Sequence, residues 1–214
     1  MMIRETSSFL LLALVLAGCG GDDQGPAADD DDEGEVPAAI EPSKDPDLQW
    51  KRAAAVEHDL MRALELSSEQ LCLEVGVAPC VSQVHLVALG GHDPFGLGLY
   101  ESLEAPLATT PIALDRVALS GCAARADLDA AAGEAGVVFK GLDLGAPAPA
   151  ADDPKVAALV TELHHRLLAR DPIADEIAKL GELTVDDAGE RIGGRDFAVL
   201  TCYAIATSTE FLFF

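Results

Sequence analysis

The chain has 214 residues, half of them hydrophobic, and this length fits one principal domain with attached segments better than two full domains. The 14 Lys and Arg against 37 Asp and Glu give a formal net charge of −23, which repels nucleic-acid backbones and anionic lipid surfaces. Nucleic acid is therefore not an expected partner, and an aromatic content of 5% leaves few platforms for stacking bases or sugars.

The first segment has the pattern of a targeting signal. Arg4 precedes the apolar run Phe9–Leu16, and eight apolar residues suit a signal-peptide core but are too few to span a bilayer. The sequence Leu16-Ala17-Gly18-Cys19 resembles the lipobox of bacterial lipoprotein signals. The resemblance implies a signal peptide over residues 1–18, lipidation of Cys19 with palmitate among the acyl chains, and a membrane-anchored lipoprotein of the bacterial cell envelope, with the outer membrane as its expected location.

Residues 19–45 are expected to form a lipidated, acidic, disordered tether. Asp22 to Asp47 contain eleven acidic residues and one base, Lys44, so this stretch carries −10 and should be extended by self-repulsion. The run Asp29–Asp32 supplies carboxylates of the kind that calcium prefers, but it lacks the turn glycine and terminal Glu of a preorganised loop. No metal site is therefore predicted there.

Residues 46–214 are predicted to be a mainly α domain with at most a minor two-stranded element. Four predicted helices share one start signal, a capping residue followed by proline. These signals are Asp45-Pro46, Thr110-Pro111, Asp153-Pro154 and Asp171-Pro172. A last helix is predicted to follow Gly193-Gly194 and to run toward Phe211. An Ala/Pro-rich break is predicted near residues 145–153.

The sequence offers little support for strands. Short β-rich runs at Val84–Leu89 and Val137–Phe139 predict a small two-stranded element. The Gly/Pro-rich loop between Gly90 and Pro111 is too long for a simple connection in a compact domain. This loop is therefore the predicted location of a functional site.

Four cysteines remain after the lipobox, and an extracytoplasmic location favours disulfides between them. Cys72, Cys80, Cys122 and Cys202 permit three pairings, which the sequence alone does not distinguish. A bond between Cys72 and Cys80 is favoured because the short segment between them contains a glycine and a proline and can fold back. Cys122 and Cys202 would then join the two halves of the domain. The alternative is that these two are buried, small apolar residues.

Signature motifs of the common hydrolase, zinc, nucleotide and c-type haem classes are absent from the sequence. His164 and His165 are adjacent on a predicted helix, so their side chains diverge by about 100° and are interpreted as helix-surface residues. His92 beside Asp93 is the alternative catalytic pair, because a carboxylate can orient an imidazole for base or ligand chemistry. The competing interpretation is an Asp-Pro turn with an incidental histidine. No catalytic residue, metal or cofactor is predicted as the first choice.

Two further parts of the chain carry resemblances. The segments Leu163–Glu176, Phe197–Leu200 and Thr207–Phe213 together resemble the carboxy-terminal helical segment of large planctomycete-type envelope proteins of unknown function. Cys72–Asp129 resembles uncharacterised lipoproteins of myxobacterial type. The planctomycete-type proteins can be associated with cytochrome-type haem domains, but this chain lacks a haem-attachment motif. Neither resemblance supplies a catalytic residue.

The Arg-Asp pairs before the last helices are interpreted as residues that end one helix and start the next. Asp171 and Asp196 would cap exposed amides, while Arg170 would interact with the end of the preceding helix. The terminal run Phe211–Phe214 is expected to pack on the core, and the alternative is an apolar grip for a partner.

The leading functional expectation is a lipid-anchored, extracytoplasmic helical domain that binds or scaffolds another envelope protein. The alternative is an envelope enzyme or redox-accessory protein that uses the His92 loop. A pocket in which His92, Asp93 and Tyr100 converge with another histidine or carboxylate would favour catalysis. A shallow apolar groove would favour interaction.

Overall fold

The computed structural model describes residues 49–213, which form a mainly α-helical domain with a minor two-stranded element, as the sequence predicted. The predicted signal peptide, Cys19, the tether and Phe214 lie outside the described residues. The α-helices of the described part are α1 (Ala53–Leu64), α2 (Ser68–Leu71), α3 (Thr110–Ala132), α4 (Pro154–Leu168), α5 (Ala174–Gly181), α6 (Gly194–Ala206) and α7 (Thr209–Leu212). Strands β1 (Leu73–Glu74) and β2 (Ala78–Pro79) form the one sheet of residues 49–213.

Helix α1 has one buried face. Val56, Leu60 and Leu64 recur at four-residue spacing, are fully buried, and pack toward α3 and α4. The predicted start signal at Asp45-Pro46 lies outside the described residues. The observed helix begins at Ala53, after Arg52 in an extended conformation.

The segment before α1 is extended, although Trp50 was expected inside the helix. Trp50 forms an antiparallel bridge with Phe213, and the Lys51 amide donates to the Leu212 carbonyl at 2.7 Å. These backbone groups are therefore satisfied by the carboxy-terminal segment instead of by a helical turn. Phe211 is fully buried, as the expected packing of the terminal aromatic run requires.

Helices α3 and α6 form an antiparallel pair at the centre of the domain. Cys122 of α3 is bonded to Cys202 of α6, with 5.9 Å between their Cα atoms. Arg195, at the start of α6, donates to Asp127 in the second half of α3 at 2.6 Å. The cysteines are fully buried, as is Ala118, and such small side chains let the two helix backbones approach closely.

The predicted start of α4 is correct and that of α5 is wrong. Asp153 caps α4 by accepting a hydrogen bond from the Lys155 amide at 2.8 Å. Asp171 does not cap α5, because its carboxylate accepts from the His165 ring at 2.6 Å. Helix α5 begins two residues after the proline, where the Glu176 carboxylate accepts from the Ile173 amide.

The predicted last helix is divided into α6 and α7. The break falls at Thr207-Ser208, where the Ser208 hydroxyl accepts from the Phe211 amide at 3.2 Å and starts a new helical turn. The turn of direction places Phe211 in the core. Asp196 lies in the first turn of α6, and the N-cap position belongs to Gly193.

Neither predicted strand is present. Cys80–Val84 is a π-helical turn, and the Leu89 amide donates back to the His85 carbonyl, so this run curls instead of extending. Val137–Phe139 direct their amides to a buried carboxylate of α3. The observed hairpin pairs residues on either side of a turn with positive φ at Val75 and Gly76.

The predicted break near 145–153 contains no helix in the described part, but it is attached to the core. Pro147 bridges Gly193, the Ala148 amide donates to the Ile192 carbonyl at 2.8 Å, and Ala148 is fully buried. The segment therefore packs beside the start of α6.

Candidate functional site

The long loop between Gly90 and Thr110 is fixed at its base by Trp50. The buried indole lies against Gly90, whose φ is +74°, and a Cβ there would collide with the ring. Trp50 Nε1 donates to the Glu104 carbonyl at 3.3 Å, and the Thr110 hydroxyl donates to the Ala88 carbonyl. Both ends of the loop are thus held against the body of the domain.

The tip of the loop displays apolar side chains on an ordered turn. The Asp93 carboxylate accepts from the Gly96 amide at 2.7 Å, and the Asp93 carbonyl lies within hydrogen-bond distance of the Leu97 and Leu99 amides. Phe95 on this turn is 100% exposed. Leu97 and Tyr100 are also exposed. The local hydrogen bonds therefore present these side chains to solvent.

The alternative catalytic pair is separated by the same turn. His92 is exposed, and within the described residues no hydrogen bond or ion pair joins its ring to the Asp93 carboxylate. That carboxylate binds the Gly96 amide, as an Asp-Pro turn does. The geometry around His92 is that of a turn that supports Phe95.

The β1–β2 hairpin displays a second set of apolar side chains. Val75 is 93% exposed, and Val77 is also exposed. The disulfide between Cys72 and Cys80, with 5.4 Å between Cα atoms, closes this short hairpin as the sequence predicted. The cross-link holds the two valines in a turn that would otherwise be too short to persist alone.

The hairpin and the loop base meet at the start of α3. Glu74 of the hairpin accepts from Arg116 at 2.7 Å, and His85 Nε2 lies 3.3 Å from the same carboxylate. Ile112 is exposed and precedes Arg116 by four residues, so it lies on the face of α3 that meets the hairpin. Thr110, where the loop ends, is separated from Arg116 by about 9 Å along the axis of α3. We call the exposed apolar side chains of the hairpin, the loop tip and the first turn of α3 the apolar surface: Val75, Val77, Phe95, Leu97, Tyr100 and Ile112.

The apolar surface lies in an acidic part of the chain. Residues 63–115 contain seven Asp and Glu and no Lys or Arg. Glu101 and Glu104, which flank the loop tip, are exposed. Arg116, the next base along the chain, is bound to Glu74. The exposed charges that flank the loop tip along the chain are therefore negative.

A second polar cluster joins the last three elements of the domain. Arg170, after α4, contacts Glu176 of α5 at 2.6 Å and Glu210 of α7 at 2.5 Å. Hydrogen bonds from Arg170, followed by one from the Ile173 amide, lower the pKa of Glu176 to about 2. The pKa of Glu210 is also lowered by Arg170, and the two carboxylates raise the pKa of the guanidinium. Arg170 therefore ties two later helices together, which corrects its expected role at the end of α4.

His164 lies under this cluster and corrects the helix-surface interpretation, which holds for the exposed His165. His164 is 2% exposed, and Nδ1 donates to the Val160 carbonyl at 2.8 Å. Its Nε2 lies 3.4 Å from Glu176 and borders a cavity of about 240 Å³. Since Arg170 already pairs with the carboxylates there, the cluster is a cross-link between helices.

Asp129 of α3 is a buried carboxylate that organises the segment after the helix. Its Oδ1 receives hydrogen bonds from the Val137 amide at 2.8 Å and from Arg125 at 2.7 Å. Its Oδ2 receives those of Val138 and Phe139 at 2.9 and 2.7 Å. Three consecutive amides and a guanidinium satisfy this charge, which is why the predicted strand does not form.

Within residues 49–213, no group of three or more His, Cys, Asp or Glu is placed to hold a metal ion. None of the helices described there is both long enough and apolar enough to cross a membrane. In comparisons with protein-family models, curated proteins and solved structures, nothing matches this chain.

Sequence reasoning located the loop but missed the other half of the apolar surface. The hairpin valines follow a Glu and flank a glycine between two cysteines, a pattern that signals a tight disulfide turn with exposed tip residues. No local sequence pattern indicates the Arg170 cluster, because Glu210 lies forty residues away from Arg170 along the chain.

Proposed function

We propose that this chain is a lipid-anchored, extracytoplasmic binding or scaffolding domain of the bacterial envelope, and that its partner docks on the apolar surface. The observation that carries the proposal is the concentration of exposed apolar side chains. Nine of the fourteen large hydrophobic residues exposed in the described part lie between Leu73 and Ile112. Scattered exposed hydrophobics are ordinary, whereas their concentration in one stretch of the chain that forms an anchored loop and a disulfide-closed hairpin supports an interaction site.

The hydrogen bonds and the disulfide that hold the apolar surface in place favour a binding site over side chains that are merely exposed on mobile segments. The Cys72–Cys80 bond fixes the hairpin, while Trp50 and Asp93 fix the base and tip of the loop. A preorganised surface loses less conformational entropy when a partner binds. Aromatic side chains such as Phe95 also supply much contact area for few rotatable bonds.

The proposed location rests on two features of the chain. The first is the lipobox-like sequence that ends at Cys19, which lies outside the described residues. The second is the presence of two disulfides in the domain, since disulfides persist in oxidising extracytoplasmic compartments. Outer-membrane placement is part of the same proposal.

Site-specific photo-crosslinking in intact envelopes tests the proposal. A photoreactive amino acid placed at Phe95 or Tyr100 of the full chain should give one discrete crosslinked product. The matched control is Ile173, an apolar residue that is also exposed but lies on the α4–α5 connection. Absence of a product from Phe95 and Tyr100, or the same product from Ile173, would contradict docking at the apolar surface.

A further inference from the structure

We infer that the occupant of the apolar surface is a cationic, amphipathic polypeptide segment of another protein. This inference rests on the proposed function and names the chemistry of its partner. A partner that covers Phe95, Tyr100 and the hairpin valines must offer apolar side chains, because burial of these groups is the main gain available. It must also approach a border formed by the exposed carboxylates of Glu101 and Glu104 beside the loop tip.

The border is acidic on both sides of the loop tip. Glu101, directly after Tyr100, and Glu104, three residues further along, are exposed, and Asp93 lies two residues before Phe95. Arg116 is paired with Glu74 of the hairpin, so among the described residues the unpaired acidic charge beside the loop tip lies at Glu101 and Glu104. Lys or Arg at the edge of a partner would complement these charges, steer its approach and fix its orientation.

Like-charge repulsion disfavours the other occupants. A second copy of the domain would bring residues 49–213, which carry 25 acidic against 12 basic side chains, against the same acidic border. The segment Asp22–Asp47 of this chain carries −10 and would be repelled in the same way. A membrane rich in anionic lipid is disfavoured for the same reason. A basic, apolar polypeptide is the remaining occupant that both features of the surface accept.

A defined peptide tests the inference with the full-length chain. The probe is a synthetic amphipathic helix with leucine on one face and lysine on the other. Two matched peptides replace lysine by glutamate, or leucine by serine. The leucine–lysine peptide should bind, and its affinity should fall as salt is added. The two matched peptides should bind at least about tenfold more weakly, because each lacks one of the two required features.

Variants of the chain separate specific docking from general attraction to an acidic protein. The double variant Phe95→Ser and Tyr100→Ser should lower the affinity of the chain for the leucine–lysine peptide by about tenfold. The double variant Glu101→Gln and Glu104→Gln should lower the peptide affinity by about threefold at low salt and reduce the dependence of that affinity on salt. Asp187→Asn with Glu190→Gln removes the same charge near the start of α6 and should change neither quantity. Equal effects from the two charge variants, or no effect from the aromatic variant, would overturn the inference.

The outcomes also distinguish this inference from the proposed function. A crosslinked partner at Phe95 whose binding is insensitive to salt and to Glu101→Gln would overturn the cationic partner and leave the binding domain intact. Binding of uncharged phosphatidylcholine vesicles through Phe95 and Tyr100, without binding of the leucine–lysine peptide, would replace the polypeptide by a lipid surface. Failure to crosslink in envelopes would contradict the proposed function itself.

Discussion

Asp129 shows how a buried charge determines local structure in this domain. The carboxylate has little exposure and holds three amides together with Arg125. Its removal leaves those amides and the guanidinium without their acceptor, and breaking a buried pair in this way costs far more than breaking a surface pair.

We therefore expect Asp129→Ala to lower the free energy of unfolding by about 3–5 kcal/mol, as measured by urea denaturation. The matched control, Asp152→Ala, removes an exposed carboxylate before α4 and should stay within about 0.5 kcal/mol of the unmodified chain. A loss below about 1 kcal/mol for Asp129→Ala would show that the carboxylate does not hold the 137–139 segment.

The Arg170 cluster predicts a specific loss of stability in acid. The pKa of Glu176 falls from the ordinary 4.5 to about 2, so the unfolded chain takes up a proton at a higher pH than the folded chain does. The stabilisation from this group is fully present above pH 4.5 and is lost as the pH falls toward about 2. Glu176→Gln removes the group that titrates.

Urea denaturation at a series of pH values measures this contribution. The difference in unfolding free energy between the unmodified chain and Glu176→Gln should shrink as the pH falls from neutral to about 2, and most of the change should occur below pH 4.5. The control Glu190→Gln should give a difference that stays small throughout. A Glu176→Gln difference independent of pH would mean that the ion pair does not contribute to acid sensitivity.

At the scale of elements, the two disulfides close loops of very different length. Cys72 and Cys80 are 8 residues apart, whereas Cys122 and Cys202 are 80 apart. In the chain-entropy description, the short loop is worth about 2.5 kcal/mol and the long loop about 4.5 kcal/mol. The larger effect belongs to the bond that joins α3 to α6.

Double alanine variants measure these contributions. Cys122→Ala with Cys202→Ala should reduce the unfolding free energy by about 4–5 kcal/mol, and Cys72→Ala with Cys80→Ala by about 2–3 kcal/mol. Chemical denaturation of the oxidised proteins gives both values. Equal losses, or a larger loss from the hairpin pair, would contradict the dependence on loop length. Four alkylatable thiols in the unmodified oxidised chain would contradict both bonds.

Helix α4 was predicted well because the Asp153 cap acts within one turn. Helix α3 includes Pro111 in its first turn as predicted, but Thr110 does not cap it, because its hydroxyl donates to the Ala88 carbonyl and the N-cap position belongs to Thr109. The start of α5 was placed too early because Asp171 has a competing partner, His165. That pairing depends on how α4 ends, which periodicity does not reveal.

The strand predictions failed for a similar reason. Val84–Leu89 and Val137–Phe139 have strand-like composition, but β propensity expresses a fit to a sheet that this fold does not build. The first run curls, with the His85 and Leu89 amides donating to the Cys80 and His85 carbonyls, and the amides of the second run donate to the Asp129 carboxylate. The long loop itself was predictable, because its Gly and Pro content marks a long connection, while the place of the hairpin beside α3 required the Arg116–Glu74 contact.

At the scale of the whole molecule, the apolar surface and the α3–α6 cross-link occupy different parts of the domain. The hairpin contacts α3 at Arg116 and the loop joins that helix at Thr110, whereas the Cys122–Cys202 bond and the Arg195–Asp127 pair lie further along it. Substitutions in the surface should therefore alter binding with little effect on the core.

The proposed anchor predicts a change in where the whole chain partitions. Cys19→Ser should leave an unprocessed precursor or release the protein, because lipid attachment depends on the cysteine and stable anchoring requires more than one acyl chain. Fractionation of cells followed by mass measurement of the amino terminus checks both outcomes. Normal processing and normal membrane retention of Cys19→Ser would contradict the lipoprotein proposal.

Tyrosine labelling measures whether the apolar surface is covered in the envelope. The chain has two tyrosines, Tyr100 on the surface and Tyr203 partly buried in α6, and Ile173→Tyr adds an exposed reference elsewhere. Tyrosine labelling of this variant should be measured in intact envelopes and on the purified full chain. We predict that the labelling of Tyr100 relative to the tyrosine at position 173 falls several-fold in envelopes. An unchanged ratio would mean that nothing docks on the apolar surface, and would contradict the account.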